Sequence, residues 1–450
     1  MRLSTLRLPA RLVLTSSLLV CASAEAQESP RTDQVKGPSF WQAAAGVVAV
    51  NGLTWFYNWH VQRWDWANVG TQSWWANLRG GFTWDDDVFG ANQLAHPYHG
   101  SLYFNAARSA GYDFWASTPY VAAGSLSWEL FTESVRPSLN DLINTTLGGI
   151  ALGEAAYRMS SLLTSKGPTF GRELGAFAVS PIAQTNAFLR GRGNRVDSAR
   201  LPLPESSAAF VAVGQRRGTG ASGEGMAGSR TFVGLTVEYG SAFGEQVNRP
   251  YDAFEFSLHL SPEQHVVLTH VGLSGVLSRR TLVRSPRNQL HLALFQHYEY
   301  DDLPISKASS QSLSGALLYR RNTGTRTQVD LGLHFEAVPL GAVSSEHRAV
   351  RRRDYDYGPG LGGRFVGSLR RDGRDLLRLD ARTVWIHSVY GADADHWTTT
   401  ARLSAAVPLM RVVGVGGDVG LTVRRSSYRG MPSVTKRIPQ VRAYLVWSPS

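Results

Sequence analysis

The sequence predicts an α+β membrane protein: an N-terminal helical domain followed by a roughly 12-stranded antiparallel transmembrane β-barrel. Three observations carry this. The hydrophobic period changes from helical to strictly alternating across a Gly-, Arg- and Pro-rich stretch at 191–207. The composition is rich in glycine (45) and aromatics (10%) and holds only 35 acidic residues, which favours β architecture for part of the chain. Past the N-terminus no apolar run is long enough for a spanning helix, which argues against an ordinary multi-span helical membrane protein.

Residues 1–26 read as a secretory signal peptide. Arg2, Arg7 and Arg11 form its basic start, Leu12 to Val20 its apolar middle, and Ala22-Ser23-Ala24 or Ala24-Glu25-Ala26 an A-x-A cleavage site. Cys21, the one cysteine, leaves with it, so the mature chain is expected to hold no disulfide and no cysteine-bound metal. Losing Arg2, Arg7, Arg11 and Glu25 lowers the formal charge of +11 by two. A basic exported chain meets lipid or lipopolysaccharide phosphate rather than nucleic acid.

Residues 38–190 form the helical domain, expected on the periplasmic side of the barrel or as its plug. Pro119 suits the first turn of a helix running to about Arg136, where Pro137 breaks it; Ser138 caps a second helix lasting to about Thr164. On that second helix Asn140, Asn144, Glu154 and Arg158 fall within about 40° of one another, a polar stripe on an otherwise apolar surface. Upstream stand His96 and His99 in His96-Pro97-Tyr98-His99-Gly100, and Glu129 and Glu133 lie one helical turn apart. Histidine and carboxylate together suit acid–base work or a metal, so His96, His99, Glu129 and Glu133 are the candidate catalytic group. No HExxH and no Glu-x-x-His repeat accompanies them, so a metal stays unassigned, and each residue also has a structural reading. Eight of the 13 Trp fall between Trp41 and Trp84, a segment suited either to resting at the inner leaflet and docking the helices to the barrel rim or to core packing of the same rings.

The stretches HPYHGSLYFNAARSAGYDFW, SLSWELFTES and RPSLNDLINTTLGGIALGEAAYR, within about residues 50–165, resemble the bacterial domain-of-unknown-function family 3943. The resemblance implies an envelope protein of uncharacterised activity and adds no chemistry.

After the linker 191–207, residues 208–450 alternate with period two. Val329, Leu331, Leu333 and Phe335 interleave with Asp330, His334 and Glu336; Val413 to Val423 and Trp397 to Val407 repeat the pattern. Twelve strands are expected: 206–216, 230–240, 252–260, 264–284, 289–300, 311–321, 326–337, 357–370, 375–388, 396–407, 412–425 and 438–447. Short turns such as 285–288 alternate with longer loops at 301–310, 338–356, 389–395 and 426–437, the asymmetry of an outer-membrane barrel. Two stretches break it: 261–264 is short where a long loop belongs, and 241–251 is long where a short turn belongs. His259, Asp330, His334, Glu336, Arg378, Asp380, Arg382, Arg402 and Arg424 are expected to face the lumen, and Arg348, Arg351, Arg352 and Arg353 to lie on a loop, either meeting lipopolysaccharide phosphates or solvated with no specific partner.

Two strings fit GxGxxG, at Gly218 to Gly223 and Gly358 to Gly363, but neither joins a strand to a helix, so no nucleotide and no other cofactor is expected. The functional expectation is non-enzymatic passage or handling of a small solute or lipid across the outer membrane. The alternatives are an envelope-lipid enzyme using the His/Glu group, or a structural or assembly factor.

Overall fold

The computed structural model describes residues 37–190, 201–218, 229–261, 267–303, 306–347 and 353–448, except 166, 168, 202, 246 and 325. The expected signal peptide, most of the linker, the first GxGxxG string past Gly218, and Arg348, Arg351 and Arg352 lie outside these.

Seven α-helices among the described residues precede a barrel of 12 strands. The helices are α1 (Phe40–Phe56), α2 (Thr71–Gly80), α3 (His96–Ser109), α4 (Phe114–Phe131), α5 (Leu139–Ser165), α6 (Phe170–Val179) and α7 (Pro181–Leu189). The two helices expected around Pro137 are α4 and α5. Helix α4 starts earlier than its proline suggests because the Asp113 carboxylate caps it, accepting from the Ala116 amide at 2.8 Å. Pro119 therefore sits inside the helix, and the Thr118 hydroxyl donates to the Trp115 carbonyl that the missing amide cannot serve. Helix α4 also ends earlier, at Phe131, and the chain turns before Pro137. Ser138 caps α5 as expected, its hydroxyl accepting from the Asp141 amide at 3.3 Å.

The strands are β1 (Ser207–Gly218), β2 (Ser229–Tyr239), β3 (Phe254–Leu260), β4 (Leu268–Arg284), β5 (Asn288–Leu303), β6 (Ser306–Asn322), β7 (Thr327–Ser344), β8 (Tyr355–Arg371), β9 (Arg374–His387), β10 (Ala394–Pro408), β11 (Val413–Tyr428) and β12 (Val434–Trp447). Each pairs antiparallel with its neighbour in sequence, and β1 pairs with β12, which closes the cylinder and leaves no open edge.

Alternation assigns the two faces. On β5, His291, Ala293, Phe295, His297, Glu299 and Asp301 point inward, while Leu292 and Leu294 are exposed on the outside. Gln296, Tyr298 and Tyr300 share that outer face yet are buried, because the helices cover the wall there. Helix α5 runs across the outside of β4, β5, β6 and β7. The helical domain is thus an annex on the outer wall and not a plug in the lumen, which corrects one of the two placements expected for it. The apolar core is shared: Phe104, Phe114 and Ala151 of the annex pack with Tyr251, Phe254, Val271, Leu273, Tyr298 and Tyr357 of the barrel.

The covered wall also explains why several strands run longer than expected. Strand β5 reaches to Leu303, β6 starts at Ser306, β7 extends to Ser344 and β8 starts at Tyr355. Outward positions there carry Tyr298, Tyr300, Ser309 and Gln311, which face protein, so the lipid-type alternation fails and the sequence reads as loop. The irregular stretch 241–251 has its own reason. It straddles the rim: Ala242, Phe243 and Val247 turn in among Val276, Ala293, Phe295, Ala316 and Leu318, while Tyr251 and Asp252 face the annex.

Candidate functional site: a pinched, charge-lined lumen

All nine sequence-predicted lumen residues lie on the inner face. Asp330 pairs with Arg320 at 2.7 Å, Asp380 with Arg364 at 2.5 Å, and Glu336 with Arg382 at 2.6 Å. The His334 ring lies 3.2 Å from the Ser314 hydroxyl, Arg402 is 3.8 Å from Asp418, and Arg424 pairs with Glu346. His259 stacks on His270, ring centroids 4.8 Å apart.

Two pairs reach across the lumen. Arg378 on β9 grips Glu255 on β3 through two bonds of 2.7 and 3.0 Å, and Arg370 on β8 bonds Glu238 on β2 at 2.8 Å. In each pair the strands stand six places apart in a ring of 12, on opposite walls. Side chains of that length meet only if the walls approach, so the cylinder is pinched. Beside these rungs lies a cavity of about 430 Å³, lined among others by Ser257, His259, His270, Asp301, Arg402 and Arg442.

Sequence reading missed Glu238, Glu255, Glu299, Arg364, Arg370 and Arg442, and with them Ser257, His270 and Asp301. The period-two rule that found His259 also places Ser257 and Glu255 inward. Their partners on other strands follow only from the ring closure.

The four residues of the polar stripe are buried, and they fasten α5 rather than face a solute. Glu154 accepts two bonds from Arg108 at 2.7 and 3.0 Å and one from Arg158 at 2.7 Å. Arg158 continues to the barrel, donating to Asp252 at 3.1 Å and to the Pro250 carbonyl at 2.8 Å. Asn144 accepts from Gln311 on β6, and Asn140 donates to the Tyr357 hydroxyl on β8. Arg353 is a correction. It is buried, lies 4.1 Å over the Tyr390 ring and donates to the Asp85 carbonyl, so it pins the annex and does not reach outward for phosphate. Trp84 of the Trp-rich segment stacks on Tyr390 at 5.7 Å, whereas Trp41 and Trp75 are exposed.

The candidate catalytic group converges inside the annex, where packing engages each member. The Glu129 carboxylate accepts from the Ser138 amide at 2.7 Å, and Glu133 from the Trp128 indole at 2.6 Å. His96 lies 3.1 Å from the Thr145 hydroxyl and 3.8 Å from Asp141; His99 lies 3.1 Å from the Tyr103 hydroxyl and edge-on to Trp128. Burial favours the neutral forms. It lowers His96 to about 4 and His99 to about 3, pushes Glu133 up to about 8, and raises Glu129 and Asp141 well above the carboxylate range.

The pH dependence follows. Below about 6.5 the unfolded histidines bind protons that the folded ones refuse, so annex stability falls with acidification until about pH 3. Above about 4.5 the unfolded carboxylates lose protons that Glu133 keeps until about 8, so stability also declines toward alkaline pH. Annex unfolding followed by tryptophan fluorescence is expected to show a maximum between these limbs, and His99→Phe should flatten the acid limb.

Residues 81–182 match the profile of a domain of unknown function, DUF3943. The match extends past the segment quoted above into α7, and it begins after α2. No curated protein matches the chain. Among solved structures, the barrel is similar to the NanC porin, with 8% identity over 53% of this chain and 100% of that one and a TM-score of 0.29. An outer membrane channel from Pseudomonas putida F1 shares 11% identity over 55% and 97%, with a TM-score of 0.27. The outer membrane channel DcaP of Acinetobacter baumannii shares 9% over 54% and 96%, at 0.24. At such scores the likeness carries no functional weight.

Proposed function

We propose that the chain is an outer-membrane barrel that admits small polar solutes to a constricted lumen. The membrane reading is supported by the outward, exposed Leu292, Leu294, Leu331, Phe335, Leu361, Leu403, Val419, Leu445 and Trp447, set against charged partners inside. No helix among the described residues is long and apolar enough to cross a membrane. Lipid is the partner of this face and of the exposed Trp41, Leu53, Trp115 and Phe188 on the annex, which extend the apolar belt around the helices. The tight turns at 285–287 and 372–373 belong at the periplasmic end, and with this orientation the annex contacts at Tyr300, Tyr355 and Tyr390 fall toward the opposite end, against the periplasmic side expected from the sequence.

The observation that carries the solute reading is the pair of rungs, Arg378–Glu255 and Arg370–Glu238, beside the cavity. Each places an acid and a base where a polar solute must pass. Removing all four side chains (Arg378→Ser, Glu255→Ser, Arg370→Ser, Glu238→Ser) relaxes the pinch and is expected to raise single-channel conductance in planar bilayers several-fold. If neither the parent nor this variant conducts at any voltage, the reading fails.

A further inference from the structure

Three of the lining residues stand in a line. The Ser257 hydroxyl on β3 lies 3.0 Å from Nε2 of His270 on β4, and Nδ1 of the same ring lies 2.9 Å from Oδ1 of Asp301 on β5. A carboxylate only accepts, so Asp301 fixes the proton on Nδ1 and leaves Nε2 as the acceptor of the serine proton. This is the geometry by which a serine hydroxyl is made nucleophilic: base within hydrogen-bond reach, base oriented by a third group.

The register produces it. Asp301 is the direct cross-strand partner of His270, and Ser257 is one step along the inner face from His259, which is the partner of His270 on the other side. Each of the three is one inward residue on one of three consecutive strands. His259 stacks on His270 and lies 3.5 Å from the Arg442 guanidinium, which bonds Asp418 at 2.8 Å, so the rings are held from behind. The site is wet: His270 retains 18% and Asp301 40% of side-chain exposure, and both line the cavity.

We propose that Ser257, His270 and Asp301 form an esterase triad inside the barrel, acting on small carboxylic esters that enter the cavity. Ser257 Oγ forms a bond to the ester carbonyl carbon while its proton passes to His270 Nε2. The tetrahedral intermediate collapses, the carbon–alkoxide bond breaks, and the alcohol leaves with the proton from His270. Water then attacks the acyl-serine with His270 again as base, releasing the carboxylic acid and restoring the serine; no electrons change hands. Arg402 is the cation placed to offset the developing oxyanion. It lines the same cavity, is 43% exposed, and is only loosely held, 3.8 Å from Asp418.

His270, Glu299 and Asp301 are also close enough together to hold a cation. Both ring nitrogens of His270 are already engaged, by Ser257 and Asp301, and this favours the nucleophile.

The proposal rests on solutes reaching the lumen, so two measurements are made on the same full-length protein in detergent. A fluorophosphonate probe is expected to label Ser257, located by peptide mass, and p-nitrophenyl butyrate to be hydrolysed. Ser257→Ala should abolish the label, and Ser257→Ala and His270→Gln should each lower kcat/KM by about 100-fold or more. Both variants should keep the heat-dependent gel mobility of a folded barrel. No label on Ser257, or equal hydrolysis by Ser257→Ala, overturns the triad. Hydrolysis abolished by EDTA but indifferent to Ser257→Ala overturns it in favour of a cation on His270, Glu299 and Asp301. A conducting but unlabelled protein sinks the triad alone, whereas a labelled but non-conducting one sinks free passage and leaves the triad.

Discussion

Glu154→Ala is expected to release the helical annex from the barrel. Glu154 is fully buried and neutralises two arginines, Arg108 and Arg158, themselves almost inaccessible. Removing one partner of a buried ion pair costs about 3–5 kcal/mol, because the remaining charge stays in a poor solvent. Here Arg108 loses its only described anion and Arg158 is left with Asp252 alone, the contact through which it reaches the barrel. Ten of the 13 Trp lie in the annex, so tryptophan fluorescence should report a large loss of annex stability. The barrel's heat-dependent gel mobility should change little, since its strand ladder does not use Glu154. Glu154→Gln should be intermediate, retaining hydrogen bonds without charge.

Gly100→Val is expected to prevent α3 and α5 from packing. A Cβ at Gly100 would fall 1.9 Å from the Thr145 carbonyl oxygen and 2.9 Å from the Cα of Gly149, both backbone atoms that cannot swing aside. Overpacking in a well-filled core costs about 1–3 kcal/mol, and a clash with backbone belongs at the top of that range or beyond. The fluorescence assay should show an annex that is unfolded or strongly destabilised. Gly52→Ala is the control. It lies in α1 with nothing within 4 Å of its Cβ, so replacing this helical glycine should stabilise by roughly 0.5–1 kcal/mol. If Gly100→Val leaves the annex as stable as the parent, the close crossing of α3 and α5 is wrong.

Much of the architecture was legible because lipid and lumen impose opposite demands on alternate residues. Where Val329, Leu331 and Leu333 face out and Asp330 and His334 face in, the strand announces itself. Where Tyr298, Tyr300 and Gln311 face the annex, that contrast disappears and strand reads as loop. The stripe of Asn140, Asn144, Glu154 and Arg158 was visible from helical spacing, but its partners, Tyr357, Gln311 and Asp252, are distant in sequence and set by tertiary packing. The triad was hidden for the same reason. Ser257, His270 and Asp301 belong to no local motif, and their meeting depends on the register of three strands.

The annex is written first in the chain but fastened to strands that come later. Its described anchors run from Tyr239 and Asp252 to Gln311, then Tyr355 and Tyr357, and finally Tyr390, so the last of these hydrogen bonds waits until the ninth strand has its place. Until then the N-terminal third must travel without its resting surface, with its greasy side uncovered, and any helper that shields it during export must let go only when most of the sheet is made.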